Sequence, residues 1–186
     1  MTEQAARRCM KRRHVMLGIT IPIGLALAGL PGRQALAATR ERFILLHHCH
    51  TGEVLKTVYF ADGHYQPDAL RAATHHLRDW RDNTHLPIDP TVLDLLWSLR
   101  AKLQTTTPIQ VFCGYRSPET NAMLRRTHHG AARNSLHMRG MAVDLYVEGR
   151  PLSMVHAAAV GLRGGGVGYY PRSGFVHVDT GDIRYW

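Results

Sequence analysis

The chain has 186 residues, 45% of them hydrophobic and 20% charged, with 17 Gly and 9 Pro. That ordinary globular composition excludes a disordered tail, a collagen-like repeat and a disulfide-dense miniprotein. The formal charge is +9, but of 23 basic and 14 acidic residues six and one lie within residues 1–37, leaving 17 and 13 elsewhere, which argues against nucleic acid as the partner.

Arg12-Arg13 enter an apolar stretch, Val15 to Leu30, that carries no charge, and Ala35-Leu36-Ala37 follows as a small-residue cleavage site. A charged start, an apolar middle and an A-x-A site are the parts of a secretory signal, and paired arginines favour the twin-arginine route. Residues 1–37 therefore read as a twin-arginine signal peptide and 38–186 as one mature domain, placed in the periplasm. The apolar run is short of the roughly 20 residues a membrane span needs. A membrane association is expected only if the signal stays uncleaved as an anchor. Cys9 lies in the signal. Cys49 and Cys113 are an even pair in an oxidising compartment, which admits a disulfide or two small buried hydrophobes.

Phe43 to Leu46 reads as a strand, His50 to Glu53 as a turn, and Val54 to Phe60 as the return strand of a hairpin. Leu70, Ala73, Leu77 and Trp80 recur at helical spacing, which predicts a helix from Pro67 to Asp82. Asp89-Pro90 supplies an N-cap and first position for a second helix with Val92, Leu95, Leu96, Leu99 and Leu103 on its apolar face. Pro108 to Phe112 reads as a strand, Ser117-Pro118-Glu119 opens a third helix, and Met141 to Val147 is a strand. A helix from Ser153 to Leu162 and strands at Val167 to Tyr170 and Phe175 to Val178 complete the chain. Early helices and late short strands predict an α+β fold, a small mainly antiparallel sheet with helices packed on it.

Thirteen histidines invite a metal reading, but abundance is not a site. His47, His48 and His50 beside a turn read either as a ligand triplet or as turn histidines bonded to backbone. His75-His76 and His128-His129 read as solvated faces. The stronger pattern is Ser135-Leu136-His137-Met138-Arg139-Gly140-Met141-Ala142-Val143-Asp144, followed by Phe175-Val176-His177-Val178-Asp179. A carboxylate among Ala142, Val143 and Leu145 is costly to bury unless paired, hydrogen-bonded or metal-bound. His177 and Asp179 share one face of their strand, because side chains alternate with period 2. Two imidazoles and a carboxylate (His137, His177 and Asp144) with a position left open make a catalytic zinc arrangement. From spacing alone, a buried Asp144–Arg139 ion pair is equally compatible.

Taken in order, Phe112-Cys113-Gly114-Tyr115-Arg116-Ser117-Pro118-Glu119-Thr120-Asn121, the Ser135–Asp144 stretch, and Gly165-Gly166-Val167-Gly168-Tyr169-Tyr170 through Asp179-Thr180-Gly181 resemble the exported murein endopeptidase K family. That family is related to the peptidase M15 group of D-Ala-D-Ala metallopeptidases, and the resemblance spans nearly the whole mature domain. It implies an M15-like zinc site on the sheet and a hydrolase of peptide cross-links in peptidoglycan, its expected partner. The resemblance places Zn2+ on His137, Asp144 and His177, and gives Arg116 to a substrate carboxylate or an oxyanion, with a loop salt bridge as the plainer role. Many M15 enzymes carry an acidic general base three residues before the last histidine ligand, and Gly174 stands there. Asp179 is then the candidate base or, alternatively, the group that orients His177. The absent acid also admits a non-catalytic, zinc-containing peptidoglycan-binding module. Cys113 stands where the family often has serine and implies nothing catalytic.

Overall fold

The computed structural model describes residues 41–127 and 131–186. The expected signal peptide with its cleavage site, Cys9, and the pair His128-His129 lie outside the described residues. Among these, the strands are β1 (Arg42–His48), β2 (Val54–Ala61), β3 (His64–Tyr65), β4 (Ile109–Cys113), β5 (Ala142–Val147), β6 (Gly166–Tyr170), β7 (Phe175–Asp179) and β8 (Arg184–Tyr185). The helices are α1 (Pro67–His76), α2 (Pro90–Leu103), α3 (Pro118–Thr127) and α4 (Leu152–Val160), with a 3₁₀ turn at Leu136–Arg139. No helix among the described residues is long and apolar enough to cross a membrane.

The fold is α+β, with the eight strands in one sheet in the order β3-β2-β1-β4-β5-β7-β6-β8. The sheet is mixed, which corrects the mainly antiparallel one expected: β1 pairs with β4, and β6 with β8, in parallel. Hairpin cues report neighbours in sequence, whereas parallel pairing needs a long crossover, and α1 and α2 supply it between β2 and β4. The two-residue strands β3 and β8 carry no periodicity and form only by pairing with β2 and β6.

Alternation along the strands separates the two faces. Ile44, Leu46, Ile109, Val111, Val143, Leu145, Val176 and Val178 join one buried cluster with Ala73, Leu93, Leu96 and Leu99 of α1 and α2 and with Val155 of α4. The intervening positions of β5 and β7, Asp144, Tyr146, Phe175, His177 and Asp179, project to the opposite face. The helix starts are those expected from their caps. Asp89 Oδ1 accepts from the Thr91 amide at 2.9 Å, and Ser117 Oγ from the Thr120 amide at 3.0 Å.

Helix α1 stops at His76, six residues before the expected end. The chain turns at Leu77 because that segment serves the loop after β4. The Leu77 carbonyl accepts from the Tyr115 amide at 2.7 Å, and the buried Asp79 carboxylate accepts from the Ser117 amide at 3.0 Å. Gly114 permits this approach, since a Cβ there would lie 2.5 Å from the Leu77 carbonyl oxygen. Cys49 and Cys113 are not joined by a disulfide.

Candidate metal centre

Three local devices bring the polar residues together on the sheet face opposite α1, α2 and α4. In the β5–β7 pair Asp144 stands directly across from His177. In the β4–β5 pair the register slips between Val111 and Cys113, so that Cys113 stands across from Asp144. Such a bulge re-aims a side chain, here the Cys113 thiol toward the donors. The 3₁₀ turn delivers His137, whose carbonyl accepts from the Arg116 amide at 3.2 Å and so ties this turn to the loop after β4.

The donor atoms converge closely. His137 Nε2 lies 3.2 Å from Asp144 Oδ1 and 3.2 Å from His177 Nδ1, and His177 Nδ1 lies 2.9 Å from Asp144 Oδ1. All three residues are buried. Metal–nitrogen and metal–oxygen bonds of about 2.0–2.1 Å in a tetrahedral site separate neighbouring donors by about 3.3 Å, so this triangle has the size one ion needs. A second set, Cys113 Sγ with a His137 nitrogen and an Asp144 oxygen, falls within 4.8 Å. It shares two members, His137 and Asp144, with the first.

The remaining ring nitrogens define the tautomers. His137 Nδ1 lies 2.7 Å from the Gly114 carbonyl oxygen, which only accepts, so Nδ1 carries a proton and Nε2 is the nitrogen turned toward the other donors. His177 Nε2 lies 2.9 Å from Asp179 Oδ2, which leaves Nδ1 facing the donor triangle. Partners on the outer nitrogen are the usual support of metal-binding histidines.

Electrostatics give the cluster an appetite for positive charge. Burial opposes the Asp144 carboxylate, but His137 and His177 outweigh it and hold the carboxyl well below its usual range. Burial likewise opposes a charged His137, yet Asp144 and Cys113 raise it to about 10. Without a metal, protons occupy this charge deficit, and a divalent ion would bind by displacing them.

Arg116 Nη2 lies 3.6 Å from Asp144 Oδ2 and 3.5 Å from Cys113 Sγ, and the buried Nε of Arg116 has no hydrogen-bond partner among the described residues. Arg139 is exposed, so the alternative Asp144–Arg139 pair is not the one formed. Asp179 is fully buried and contacts His177 at the ring nitrogen away from Asp144. Gly174 sits in the β6–β7 turn at φ 77°.

Among the described residues the other histidines do not join this group. His48 Nδ1 accepts from the His50 and Thr51 amides at 3.3 and 3.4 Å, the turn role, while His50 stacks on Trp80 at 4.1 Å. His75 is exposed as expected. His76 is buried, with its ring 6.0 Å from that of His48, which corrects the solvated reading: the helix turns that edge toward β1. Sequence reasoning gave Cys113 no part in the site and passed over Arg184, which pairs with Asp179 at 2.7 Å. The only signal for Cys113 was its place directly before Gly114-Tyr115-Arg116.

The family described as peptidoglycan L,D-endopeptidase MepK, within peptidase M15, matches residues 36–186. The chain is 41% identical to the peptidoglycan L,D-endopeptidase MepK of Escherichia coli (strain K12) over 176 residues, covering 95% of this chain and 96% of that protein. The same values hold for the protein of that name from Shigella flexneri. Identity is 36% over 185 residues to the probable peptidoglycan L,D-endopeptidase MepK of Haemophilus influenzae, covering 99% of this chain and 96% of that protein. The chain therefore belongs to the MepK family of M15-related peptidases.

Proposed function

We propose that this chain is a zinc-dependent peptidoglycan endopeptidase that hydrolyses peptide cross-links of the L,D class in cell-wall remodelling. The observation that carries the reading is the donor triangle: His137 Nε2, Asp144 Oδ1 and His177 Nδ1 within 3.2 Å of one another on the sheet face opposite α1, α2 and α4. The family's name supports the choice of bond, since the sequence motifs alone admit either the 4-3 or the 3-3 cross-link.

His137, Asp144 and His177 would hold the ion, which when bound supplies Lewis-acid polarisation of the scissile carbonyl and activation of water. The rest is work for the protein's own groups. Gly114, through its carbonyl, keeps the proton of His137 on Nδ1. Asp179 keeps the proton of His177 on Nε2 and acts as the orienting group rather than as base, because its oxygens lie on the far side of that ring. Arg116 offers a guanidinium with an unused buried N–H beside Asp144, a donor suited to a substrate carboxylate or to negative charge developing on the carbonyl oxygen. The chain is exported by way of residues 1–37, with the mature N-terminus at Ala38 in the periplasm. Mass spectrometry of the periplasmic species checks this, and a species retaining Met1 in the membrane fraction would mean an anchor.

The test is digestion of purified sacculi, with chromatography of the released muropeptides and metal analysis of the same sample. Loss of L,D cross-linked dimers with about one zinc per chain is the expected result. One observation favours a second reading, a zinc-containing binding module without hydrolysis: Gly174 stands in the position of the M15 acid. Sacculi that bind the protein but release nothing would decide for it.

A further inference from the structure

We propose that Arg184 is a positioning residue of the metal centre, a charge clamp that holds Asp179, and through it His177, in metal-binding geometry. The inference rests on the metal reading above and adds a residue outside every motif used to reach it.

Asp179 is 0% exposed, and a carboxylate taken wholly out of water must be compensated in place. Its Oδ1 accepts from the Gly166 amide at 3.0 Å, the Gly181 amide at 2.9 Å and Arg184 NH1 at 3.2 Å. Its Oδ2 has Arg184 NH2 at 2.7 Å and His177 Nε2 at 2.9 Å. Among the described residues Arg184 is the only arginine or lysine bonded to this carboxylate. The fork spans both oxygens and fixes the plane of the carboxylate, which a single point charge does not.

The clamp is built into the sheet edge. Strand β8 pairs with β6 so that Arg184 stands beside Gly166. A Cβ on residue 166 would lie 2.6 Å from Asp179 Oδ2 and 2.7 Å from Arg184 NH1, so glycine is what lets the three meet. Arg184 NH1 also donates to the Asp182 carbonyl at 2.9 Å, and its guanidinium lies 5.2 Å from the Trp186 ring centroid, whose indole in turn faces the His177 ring at 5.4 Å. Without the fork, the Gly166 and Gly181 amides still hold Oδ1, but Oδ2 keeps His177 as its only partner and the plane of the carboxylate is fixed from one side alone. The tautomer of His177, and with it the aim of Nδ1, is then enforced less strongly.

The experiment compares full-length wild type with Arg184→Gln, Arg184→Lys and Gly166→Ala. Zinc affinity is read by competition with a chromophoric chelator, and the His177 ring by nitrogen-15 NMR. Arg184→Gln is expected to weaken zinc binding on the order of 10–100-fold and to shift the ring from its Nε2-protonated signature. Arg184→Lys recovers part of the loss, and Gly166→Ala reproduces it by pushing the clamp apart. Arg42→Gln, which breaks a remote pair with Asp94, leaves zinc affinity unchanged. Zinc affinity within about twofold of wild type in Arg184→Gln, with the ring signature retained, would overturn the proposal. Should that variant not fold, unchanged affinity in both Arg184→Lys and Gly166→Ala overturns it. A wild type that holds no zinc refutes the metal reading and the clamp with it, whereas a zinc-loaded wild type with unchanged affinity in the variants refutes the clamp alone.

Discussion

His177 meets two carboxylates at opposite edges of one ring: Nδ1 lies 2.9 Å from Asp144 Oδ1, and Nε2 lies 2.9 Å from Asp179 Oδ2. The two acids therefore have different tasks, one in the donor triangle and one behind it. Asp179→Asn is expected to keep the fold and lower zinc affinity on the order of 10–100-fold, with excess zinc restoring most of the rate. A plot of activity against free zinc checks this. A turnover that stays roughly 10²-fold low at saturating zinc would instead give Asp179 the proton-transfer role.

His137→Ala should cut metal content sharply and abolish hydrolysis, because it removes one of three donors and leaves Asp144 a buried charge short of a partner. Elemental analysis of the purified variant is the check. Unchanged stoichiometry would move the ion to another set of donors.

The pair His48 and His76 makes native stability depend on pH. Burial pushes both down to about 4 from 6.5, and the like charge each would present to neighbouring imidazoles adds to the effect on His48. The folded state resists protons that the unfolded chain accepts, so stability is full above pH 6.5 and is lost as pH falls from 6.5 toward 4. Relative to wild type, His76→Leu should gain roughly 2–3 kcal/mol between pH 7 and pH 4.5. Urea unfolding of both proteins across that range measures it, and parallel pH profiles would contradict it.

Asp94 of α2 ties the hairpin to the helices by accepting from Arg42 NH1 at 2.7 Å, Tyr59 OH at 2.8 Å and Tyr65 OH at 2.7 Å. Tyr59 is wholly buried, so Asp94→Ala leaves its hydroxyl without an acceptor and should cost about 2–3 kcal/mol. Asp94→Asn, which retains an oxygen acceptor, should cost less. Zinc affinity should be unaffected in both variants.

Much of this was legible in the chain alone. Period-2 alternation put Asp144 on one strand and His177 with Asp179 on another, each polar group isolated among apolar neighbours, and capping chemistry marked Asp89-Pro90 and Ser117-Pro118 as helix starts. These are local effects, decided within a few residues by backbone hydrogen bonding and side-chain direction. What only the tertiary structure decided depends on residues far apart in sequence. The end of α1 at His76 follows from the demand of Tyr115 and Ser117 for acceptors in the Leu77–Asp79 segment. The mixed sheet follows from a crossover that returns β4 beside β1. The bulge at Cys113 follows from its pairing with β5, and the meeting of Arg184 with Asp179 from a two-residue strand that exists only because β6 is there to bind it. Sequence periodicity reports which face a side chain takes on its own element. It does not report which element lies next to it, because that is settled by how the core packs.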